Sequence, residues 1–296
     1  MIIVIIGSGG RLGKALAREY SYDHSIIGFN HSHIDLNNPK NIKDCLEPLE
    51  FDLIINCAAL TDVDHCETHS DLAYSINTKA VEIIADISKR KGARMIHIST
   101  DYVFDGTSQI PYTENNMPFP ISVYGYTKFC GENILLAYSD KNLVVRTSWV
   151  FGPDRNSFID GIINKAIWNA DISAVADKFS TPAYTLDIAQ YLKPLLFDNP
   201  IGGIINICNS GSCSWQQFGQ YALDVANAIV PISLTGRRVA PQQMSDITAF
   251  IAKRPAYTVL STDKLSEIIG YRPRFWACAV DDYISNYYAD FAGQTK

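Results

Sequence analysis

Three features are missing from the sequence, and each absence removes a class of function. No segment approaches the ~20 consecutive apolar residues that a membrane-spanning helix needs. The Lys and Arg residues are scattered and the net charge is −6, so no basic face is expected for nucleic acid or an anionic membrane. The seven cysteines form no C-x-x-C pair and no zinc-like spacing. We therefore expect reduced thiols, no membrane partner and no nucleic-acid partner.

The amino terminus also lacks the basic region and cleavage site of a secretory signal, so a cytoplasmic location is expected. The chain has 296 residues, of which 47% are hydrophobic. This is enough to bury a sizeable core in one large or two moderate domains.

What the sequence does contain begins with a strand, a glycine turn and a helix. The continuous aliphatic run Ile2–Ile6 is typical of a strand buried on both faces of a parallel sheet. It is followed by a G-x-x-G-x-x-G turn and a helical pattern. Such glycines let the turn close and let the backbone approach a pyrophosphate at the amino terminus of the helix. The turn therefore predicts dinucleotide binding by Gly7, Gly10, Arg11, Leu12 and Gly13.

The end of the second predicted strand, Ser25–Phe29, bears on the choice of cofactor. NAD sites usually place a carboxylate here and NADP sites an arginine. The sequence has Asn30 instead, followed by His31 and His33, which are either plain loop residues or helpers of Arg11 at a 2′-phosphate. Without a carboxylate to repel that phosphate, the pattern favours NADPH, or use of both NADPH and NADH. Asp35 and Leu36 are predicted to approach the adenine.

Strands and helices alternate through the first half of the chain. The further strands are predicted at 52–59, 94–99 and 143–146, with a helix over 72–90. The first of these strands ends in Ala58 and Ala59, whose small side chains leave room for a ligand at the carboxyl edge of the sheet. The alternation predicts an α/β protein with a Rossmann-like, doubly wound parallel sheet.

From Phe151 onward the pattern becomes irregular. Helices are predicted near 158–169 and 186–197, a loop at 177–182, a strand at 202–208 and a helix from Ser214. We expect residues 1–150 to form the cofactor-binding domain and 151–296 a smaller α/β substrate domain. Residues from roughly 185 to 210 are candidates to return to the first domain.

The third informative stretch runs from the strand ending at Ser99-Thr100 to Tyr124-x-x-x-Lys128. If a helix begins near Tyr124, the tyrosine and the lysine share one face. A nearby ammonium lowers the pKa of a phenol, and a hydroxyl such as that of Ser99 or Thr100 can hold the oxygen that receives a proton. Taken alone, however, a Tyr and a Lys at this spacing are more often a surface pair.

Several longer motifs make the resemblance more specific. The chain resembles the extended short-chain dehydrogenase/reductases and, within them, the dTDP-4-dehydrorhamnose reductase family. The segments that carry the resemblance are the glycine turn, 56–64 (N-C-A-A-L-T-D-V-D), 99–106 (S-T-D-Y-V-F-D-G), 111–114, Tyr124-x-x-x-Lys128, 146–152 (R-T-S-W-V-F-G), 180–184, 212–215 and 254–260.

The resemblance implies a set of site residues. Thr100, Tyr124 and Lys128 would be catalytic, and Tyr124 and Lys128 would also meet the cofactor. Asp101, Tyr102, Trp149 and Arg254 would contact a dTDP-4-keto-6-deoxysugar, although Trp149 is equally well explained as an aromatic cap on the core. Arg237 and Lys253 are further candidates for the diphosphate. The implied reaction is hydride transfer from NADPH or NADH to the C4 ketone, with Tyr124 as proton donor. A homodimer is the assembly that the resemblance allows.

Two departures from the family leave questions open. Some members carry a glutamate after the glycine turn that helps to bind Mg²⁺, but this chain has Ala15 and Ala17 there, which argues against that metal site. The divergent later segments keep other dTDP-4-ketosugars, such as the dihydrostreptose precursor, as alternative substrates. A non-catalytic NADP-binding regulatory subunit is a second alternative, and an epimerase or dehydratase with bound NAD⁺ is a third that the later motifs disfavour.

Overall fold

The aliphatic run at the start of the chain forms a central strand of the sheet. The structure, a computed structural model, describes residues 1–168, 171–229 and 237–288. These residues form twelve strands: β1 (Ile2–Ile6), β2 (Ser25–Phe29), β3 (Leu53–Asn56), β4 (Arg94–Thr100), β5 (Leu143–Thr147), β6 (Val150–Phe151), β7 (Ser173–Val175), β8 (Phe179–Ser180), β9 (Ala183–Tyr184), β10 (Gly203–Asn206), β11 (Cys213–Ser214) and β12 (Ala240–Gln242).

The same residues form eleven α-helices: α1 (Arg11–Tyr20), α2 (Pro39–Leu46), α3 (Val63–Thr68), α4 (Ser70–Tyr74), α5 (Ala80–Arg90), α6 (Val123–Tyr138), α7 (Phe158–Ile167), α8 (Thr185–Leu196), α9 (Trp215–Ile229), α10 (Asp263–Ile269) and α11 (Trp276–Tyr287). Not one of these described helices has both the length and the apolar character needed to cross a bilayer.

Six strands form one parallel sheet in the order β10-β5-β4-β3-β1-β2. The chain moves outward from β1 to β2 and then returns to the other side of β1 with β3. The order therefore reverses between β1 and β3, and open α/β sheets bind ligands outside the carboxyl ends of the strands at such a point. The expected Rossmann-like, doubly wound sheet is confirmed.

Each face of the sheet is covered by helices, because alternate residues of a strand point to opposite faces. Ile3 and Ile5 pack in one core with residues of α1 and α8. Val4 and Ile6 pack in the other with residues of α2, α5 and α6. Strand β10 pairs with β5, so the segment around 203–206 lies in the sheet.

The predicted helix over 72–90 is not one regular α-helix. Helix α4 ends at Tyr74, a π-helical turn spans Ser75–Lys79, and α5 follows. Within the π turn, the buried Asn77 side chain accepts from Leu60 N–H (2.8 Å) and donates to Leu60 C=O (3.0 Å) and to the Thr127 hydroxyl (3.1 Å). These contacts join the turn to the loop after β3 and to α6.

Helices α7, α9 and α11 pack around a third core that includes Phe151, Tyr184 and Phe218. The predicted helix near 158–169 ends at Ile167, and Asn169 lies outside the described residues. The stretch predicted as a loop at 177–182 contains the short strand β8, which pairs antiparallel with β11. The carboxyl end of the predicted substrate domain, residues 289–296, also lies outside the described residues.

Candidate active site

The glycine turn lies against the end of β3 at the reversal of strand order. Gly7 has φ +83°, and a Cβ there would lie 2.9 Å from the backbone nitrogen of Ala58. A Cβ on Gly13 would overlap the carbonyl oxygen of Gly7. The turn is closed by a bond from Gly10 N–H to Gly7 C=O (2.8 Å). Only glycine allows these approaches, and they leave Ala58 and Ala59 half-buried beside the turn.

The start of α1 suits a pyrophosphate. The first N–H groups of a helix have no partner within the helix, so those of Arg11, Leu12 and Gly13 are available to an anion. The backbone conformation and these donors fit a dinucleotide. The geometry of the turn is compatible with dinucleotide binding by its five predicted residues, and that binding stays a prediction.

The Arg11 side chain is used differently from the expectation. Its guanidinium donates to the carbonyl oxygens of Val150 (2.9 Å), Arg155 (3.0 Å) and Asn156. On the same helix, Arg18 pairs with Asp154 at 3.0 Å. Arg11 therefore joins the glycine-turn helix to the segment that follows β6.

The end of β2 presents neutral groups. Asn30 lies under Gly9, and its Oδ1 accepts from the Ser32 N–H (2.9 Å) and hydroxyl (2.6 Å). His31, His33 and Asp35 are exposed. Leu36 is buried in the core beneath α2, with 8% of its surface exposed. Any adenine contact by Leu36 therefore requires the ligand to reach the edge of this core.

Helix α6 begins at Val123 and brings Tyr124 to the end of β4. Ser122 caps it by accepting from Gly125 N–H (3.2 Å), and Glu67 accepts from Val123 N–H (3.0 Å). A Cβ on Gly125 would overlap the carbonyl oxygen of Tyr102, so the helix and the 3₁₀ turn Asp101–Val103 approach more closely than any other residue would allow.

This close packing brings the Tyr124 and Thr100 hydroxyls together. Both residues are buried, and the rings of Tyr124 and Tyr102 meet edge to face with centroids 5.6 Å apart. Thr100 donates to Asp101 Oδ1 (3.2 Å), while its oxygen accepts from Tyr102 N–H (3.2 Å). Asp101 thus fixes the direction of the Thr100 hydroxyl.

Asp101 is held by two further hydroxyls. Its Oδ2 accepts from Ser180 (2.8 Å) and Thr258 (2.5 Å), which belong to the later part of the chain. Burial raises the pKa of the Asp101 carboxyl, and nearby Lys178 together with these hydroxyls opposes the increase. Asp101 is therefore a buried junction beneath the candidate catalytic hydroxyls.

Lys128 lies one turn along α6 from Tyr124, as predicted, and is 1% exposed. Its Nζ donates to Ile98 C=O (2.7 Å) and lies 3.0 Å from His97 Nε2. Burial lowers the pKa of Lys128 to about 8. Burial also raises the pKa of Tyr124, with only the Thr100 hydroxyl opposing it. The tyrosine pKa therefore shifts upward, opposite to the direction expected from a neighbouring ammonium.

The other candidate substrate residues lie in two places. Tyr102 is buried beside Tyr124, whereas Trp149 is half-buried and stacks near Phe218, with ring centroids 6.2 Å apart. Trp149 has φ +41°, and its indole N–H has no hydrogen-bond partner among the described residues. A non-glycine residue in this strained region and an unused buried donor are common at ligand sites.

Arg254 does not face open solvent. Its guanidinium forms a two-point ion pair with Asp64 (2.6 and 3.0 Å) and stacks on Phe250, 3.6 Å from the ring centroid. The same carboxylate accepts from the N–H groups of Ile251 and Ala252, each at 2.9 Å. Neither Arg237 nor Lys253 forms an ion pair with another described residue, whereas the ion pair with Asp64 holds Arg254 near Tyr102.

Sequence reasoning missed Lys178. It is fully buried, donates to Pro255 C=O (2.6 Å), and places its Nζ 4.7 Å from the centroid of the Tyr102 ring. Burial lowers its pKa to about 8. The sequence held no signal for this, because a lysine in a loop is usually exposed. Asp64 lies within the 56–64 motif, but its partner Arg254 is 190 residues away.

The residues that the structure describes hold no group of three His, Cys, Asp or Glu side chains suited to a metal ion. Ala15 is buried, and Ala17 is partly buried against the core.

The geometry agrees with what the comparisons with known proteins find. The family model described as the RmlD substrate binding domain matches residues 1–289. The spore coat polysaccharide biosynthesis protein SpsK of Bacillus subtilis is 31% identical and aligns over 95% of this chain and 96% of its own. A dTDP-4-dehydrorhamnose reductase of Aggregatibacter actinomycetemcomitans is 30% identical over 94% of this chain and 96% of its own.

Among solved structures, the dTDP-4-dehydrorhamnose reductase of Bacillus anthracis in complex with NADP superimposes with a TM-score of 0.88. It is 30% identical, and the alignment covers 96% of this chain and 99% of that one. Because the family model spans almost the whole sequence and the relatives align from end to end, the chain belongs to the dTDP-4-dehydrorhamnose reductase family, as its motifs predict.

Proposed function

We propose that the chain is a sugar-nucleotide 4-ketoreductase that uses NADPH or NADH. Its substrate would be a dTDP-4-keto-6-deoxysugar, with dTDP-4-dehydro-L-rhamnose giving dTDP-L-rhamnose. The observation that carries the proposal is the convergence of the Thr100 and Tyr124 hydroxyls at the carboxyl end of β4, with Lys128 one turn further along α6. The family membership of the chain adds independent support.

The proton in this reaction would come from Tyr124. Since burial raises the pKa of Tyr124, the phenol keeps its proton at neutral pH and has one to give to the oxygen of the reduced ketone. Reduction places a hydride on C4 and this proton on the C4 oxygen, which leaves a tyrosinate. Lys128, with a pKa of about 8, is placed to stabilise that charge or to return a proton.

Thr100 would position the substrate carbonyl. Because its hydrogen is directed to Asp101 and its oxygen accepts from Tyr102 N–H, the hydroxyl has a defined orientation before any ligand arrives. The bond from Tyr102 N–H keeps the hydroxyl oxygen in place, so only its hydrogen has to turn towards a ligand. To polarise the ketone, Thr100 would exchange its bond with Asp101 for one to the ketone oxygen.

The nicotinamide group, when bound, supplies the hydride. Gly7, Gly10 and the amino terminus of α1 would hold the pyrophosphate, and Lys128 and Tyr124 would lie beside the nicotinamide end. After β2, the neutral side chains of Asn30 and Ser32, which are hydrogen-bonded to each other, stand where an NAD-selective site has a carboxylate. This favours NADPH, or both cofactors, and the ratio of kcat/KM with NADPH to that with NADH measures the preference.

The sugar nucleotide is proposed to lie between the edge of the sheet and the core formed by α7, α9 and α11. Because these three helices lie in residues 151–296, that part of the chain is proposed to bind most of the substrate. Trp149 supports this placement, since its strained backbone and free indole N–H lie at the boundary of that core. Asp101 and Arg254 also connect the early and later parts of the chain, through Ser180 and Asp64 respectively.

The test is to mix the purified chain with enzymatically prepared dTDP-4-dehydro-L-rhamnose and to follow the loss of NADPH or NADH absorbance. Formation of dTDP-L-rhamnose supports the proposal. Oxidation only with another dTDP-4-ketosugar would move the substrate to the dihydrostreptose type. Cofactor binding without turnover of any 4-ketosugar would overturn the enzymatic proposal in favour of a regulatory NADP-binding subunit.

The role of Tyr124 is tested by Tyr124→Phe, which removes the proton donor but keeps the ring. We expect kcat/KM to fall by about 10²–10⁴-fold, the range typical of general acid catalysis. The matched control is Tyr126→Phe, on the exposed face of the same helix, which should retain full turnover. Circular dichroism and thermal melting of both variants check the fold. Full turnover by a folded Tyr124→Phe enzyme would exclude Tyr124 as the donor.

A further inference from the structure

A row of buried polar side chains runs from β3 through β4 to α6 behind the candidate catalytic residues. It consists of Asn56 at the end of β3, His97 in the middle of β4, and Lys128 on α6. Asn56 and His97 are fully buried and Lys128 is 1% exposed. Buried polar groups need matched donors and acceptors, so the hydrogens in this row can be placed by accounting for each one.

The Asn56 side chain is held by the loop that follows β3. Its Oδ1 accepts from the backbone N–H of Ala58 at 3.1 Å, which fixes the orientation of the amide. The Nδ2 group therefore faces His97 Nδ1, at 3.2 Å. Because an amide NH₂ group can only donate, Nδ1 must accept. A neutral imidazole carries one hydrogen, so that of His97 lies on Nε2. Burial holds His97 neutral, since it lowers the pKa of the ring well below its ordinary value.

The Nε2–H of His97 meets the Lys128 amine. Nε2 and Nζ are 3.0 Å apart, and Nζ donates to Ile98 C=O at 2.7 Å. An ammonium has no lone pair and could not accept from Nε2–H, whereas a neutral amine accepts one hydrogen bond and still donates to Ile98. Beside this contact, a Cβ on Gly131 would lie 2.5 Å from Asn77 O, so glycine is what lets α6 approach the π turn this closely.

We propose that His97 is a positioning residue for Lys128: Asn56 fixes the imidazole in the Nε2–H form, and this hydrogen is donated to the uncharged Lys128 amine. Charging Lys128 then requires His97 to move its hydrogen to Nδ1 and the Asn56 amide to turn away from Ala58 N–H. The two events are coupled, so the row opposes the charged state of Lys128.

The charged and titratable groups around Lys128 are consistent with this arrangement. Glu132, one turn further along α6, forms a two-point ion pair with Arg146 of β5. Cys57, at the end of β3, stays a neutral thiol because burial raises its pKa to about 12. Tyr124 stays a neutral phenol for the same reason. The anion closest to Lys128 on its own helix is thus already paired.

The inference deepens the proposed function and rests on it for its catalytic meaning, since Lys128 is there the group that stabilises the tyrosinate. A charged Lys128 is present below its pKa and is lost as pH rises through about 8. Asn56 and His97 would thereby set the pH above which reduction slows. Neither residue would touch the substrate.

The primary experiment needs neither substrate nor cofactor. Nitrogen-15 NMR of histidine-labelled full-length protein, assigned with a His97→Gln variant, reports which ring nitrogen carries hydrogen. At about pH 9.5, where Lys128 is uncharged, we expect Nε2 to be protonated and Nδ1 unprotonated. On lowering the pH, the hydrogen should move to Nδ1 with a midpoint near that of Lys128, without formation of an imidazolium. A hydrogen on Nδ1 at about pH 9.5 would overturn the proposal.

An isosteric variant tests the role of Asn56. In Asn56→Asp one carboxylate oxygen still accepts from Ala58 N–H, while the other accepts from His97 Nδ1–H, so the hydrogen should leave Nε2 at all pH values measured. The matched control is Asn38→Asp, the same change at the amino-terminal cap of α2, where an aspartate caps equally well. An Nε2–H signal that persists in a folded Asn56→Asp protein would contradict the mechanism. If that variant does not fold, the wild-type spectrum alone still decides.

Activity supplies a separate readout. In Asn56→Asp the pH above which reduction slows should move upward from that of the wild type, and in Asn38→Asp it should not move. An unshifted profile in a folded Asn56→Asp enzyme would count against His97 acting on Lys128. An enzyme without reductase activity, but with the expected tautomer in its NMR spectrum, would instead count against the proposed function only.

Discussion

At the residue scale, the ion pair between Glu132 and Arg146 stands out because both of its charges are buried. Both side chains are 1% exposed, and the guanidinium contacts both carboxylate oxygens at 3.0 and 2.7 Å. The Arg146 guanidinium also lies 5.1 Å from the centroid of the Phe104 ring. A charge buried this deeply is stable only with its partner, because the protein interior cannot solvate it. The pair therefore joins α6, which carries Tyr124 and Lys128, to β5.

Removing one partner tests whether the other charge can stay buried alone. Glu132→Gln leaves Arg146 charged and buried, and we expect a loss of about 3–5 kcal/mol in the free energy of unfolding. Denaturant unfolding measures it. The control is Asp44→Asn in the exposed pair with Lys40, which should leave the unfolding midpoint almost unchanged. A Glu132→Gln protein as stable as the wild type would mean that Arg146 does not need this carboxylate in order to stay buried.

Residues of the candidate site also differ in how well the sequence predicts their positions and contacts. A helical spacing predicts that Tyr124 and Lys128 share a face, and a strand end predicts a hydroxyl from Ser99 or Thr100; the family resemblance selects Thr100. The partners of these residues were not predicted, since His97 reads as an ordinary strand residue and Lys178 as an exposed loop lysine. Their contacts depend on which face of β4 and which loop the fold brings together, and a single sequence does not encode that in any short pattern.

At the element scale, helix α6 is placed by its glycines. Gly125 lets the helix touch the carbonyl oxygen of Tyr102, and this contact puts Tyr124 beside Thr100. Gly125→Ala should push the helix away, costing about 1–3 kcal/mol in stability because the site is overpacked. It should also lower kcat/KM at least about tenfold, because the two hydroxyls separate. Denaturant unfolding and the reductase assay measure the two effects.

The control for Gly125→Ala is Gly161→Ala in α7, where a Cβ meets no atom within 4 Å. Alanine favours helix there, so stability should rise by up to about 1 kcal/mol with no change in turnover. If Gly125→Ala behaves like Gly161→Ala, the close approach does not position Tyr124.

Elements differ in how well the sequence predicts them. Strand β2 has the predicted bounds and β5 extends one residue past them, because each contains a short apolar run. The π turn at Ser75–Lys79 was not predicted, since its residues are compatible with a regular helix. The Asn77 contacts with Leu60 and Thr127 accompany the extra residue in the turn, and those partners are distant in sequence.

At the scale of the whole molecule, the candidate site lies where the early and later parts of the chain meet. Two clamps join them: Arg11 holds the carbonyl groups of residues 150, 155 and 156, and Asp64 holds residues 251, 252 and 254. Asp101, bound by Ser180 and Thr258, is a third connection between the early and later parts of the chain. The sequence predicted the sheet and a second part, but the clamps pair residues more than 130 positions apart and could not be read from it.

The Asp64 clamp should make stability depend on pH. Its hydrogen bonds with Arg254 lower the pKa of the Asp64 carboxyl to about 2, below an ordinary value near 3.9. A depressed carboxyl pKa stabilises the folded state above the ordinary value, and this contribution is lost as pH falls towards 2. Asp64→Asn should therefore be less stable by about 1–2 kcal/mol at neutral pH, with the difference shrinking below about pH 4.

Denaturant unfolding of wild type and Asp64→Asn across this pH range measures the difference directly. The surface variant Asp44→Asn, measured in parallel, should follow the wild type at every pH. A difference between wild type and Asp64→Asn that stays constant with pH would mean that the clamp acts through packing rather than through charge.

If the clamp also positions the later segment, Asp64→Asn should raise KM for the sugar nucleotide more than it lowers kcat, because Arg254 and Thr258 belong to that segment while Tyr124 does not.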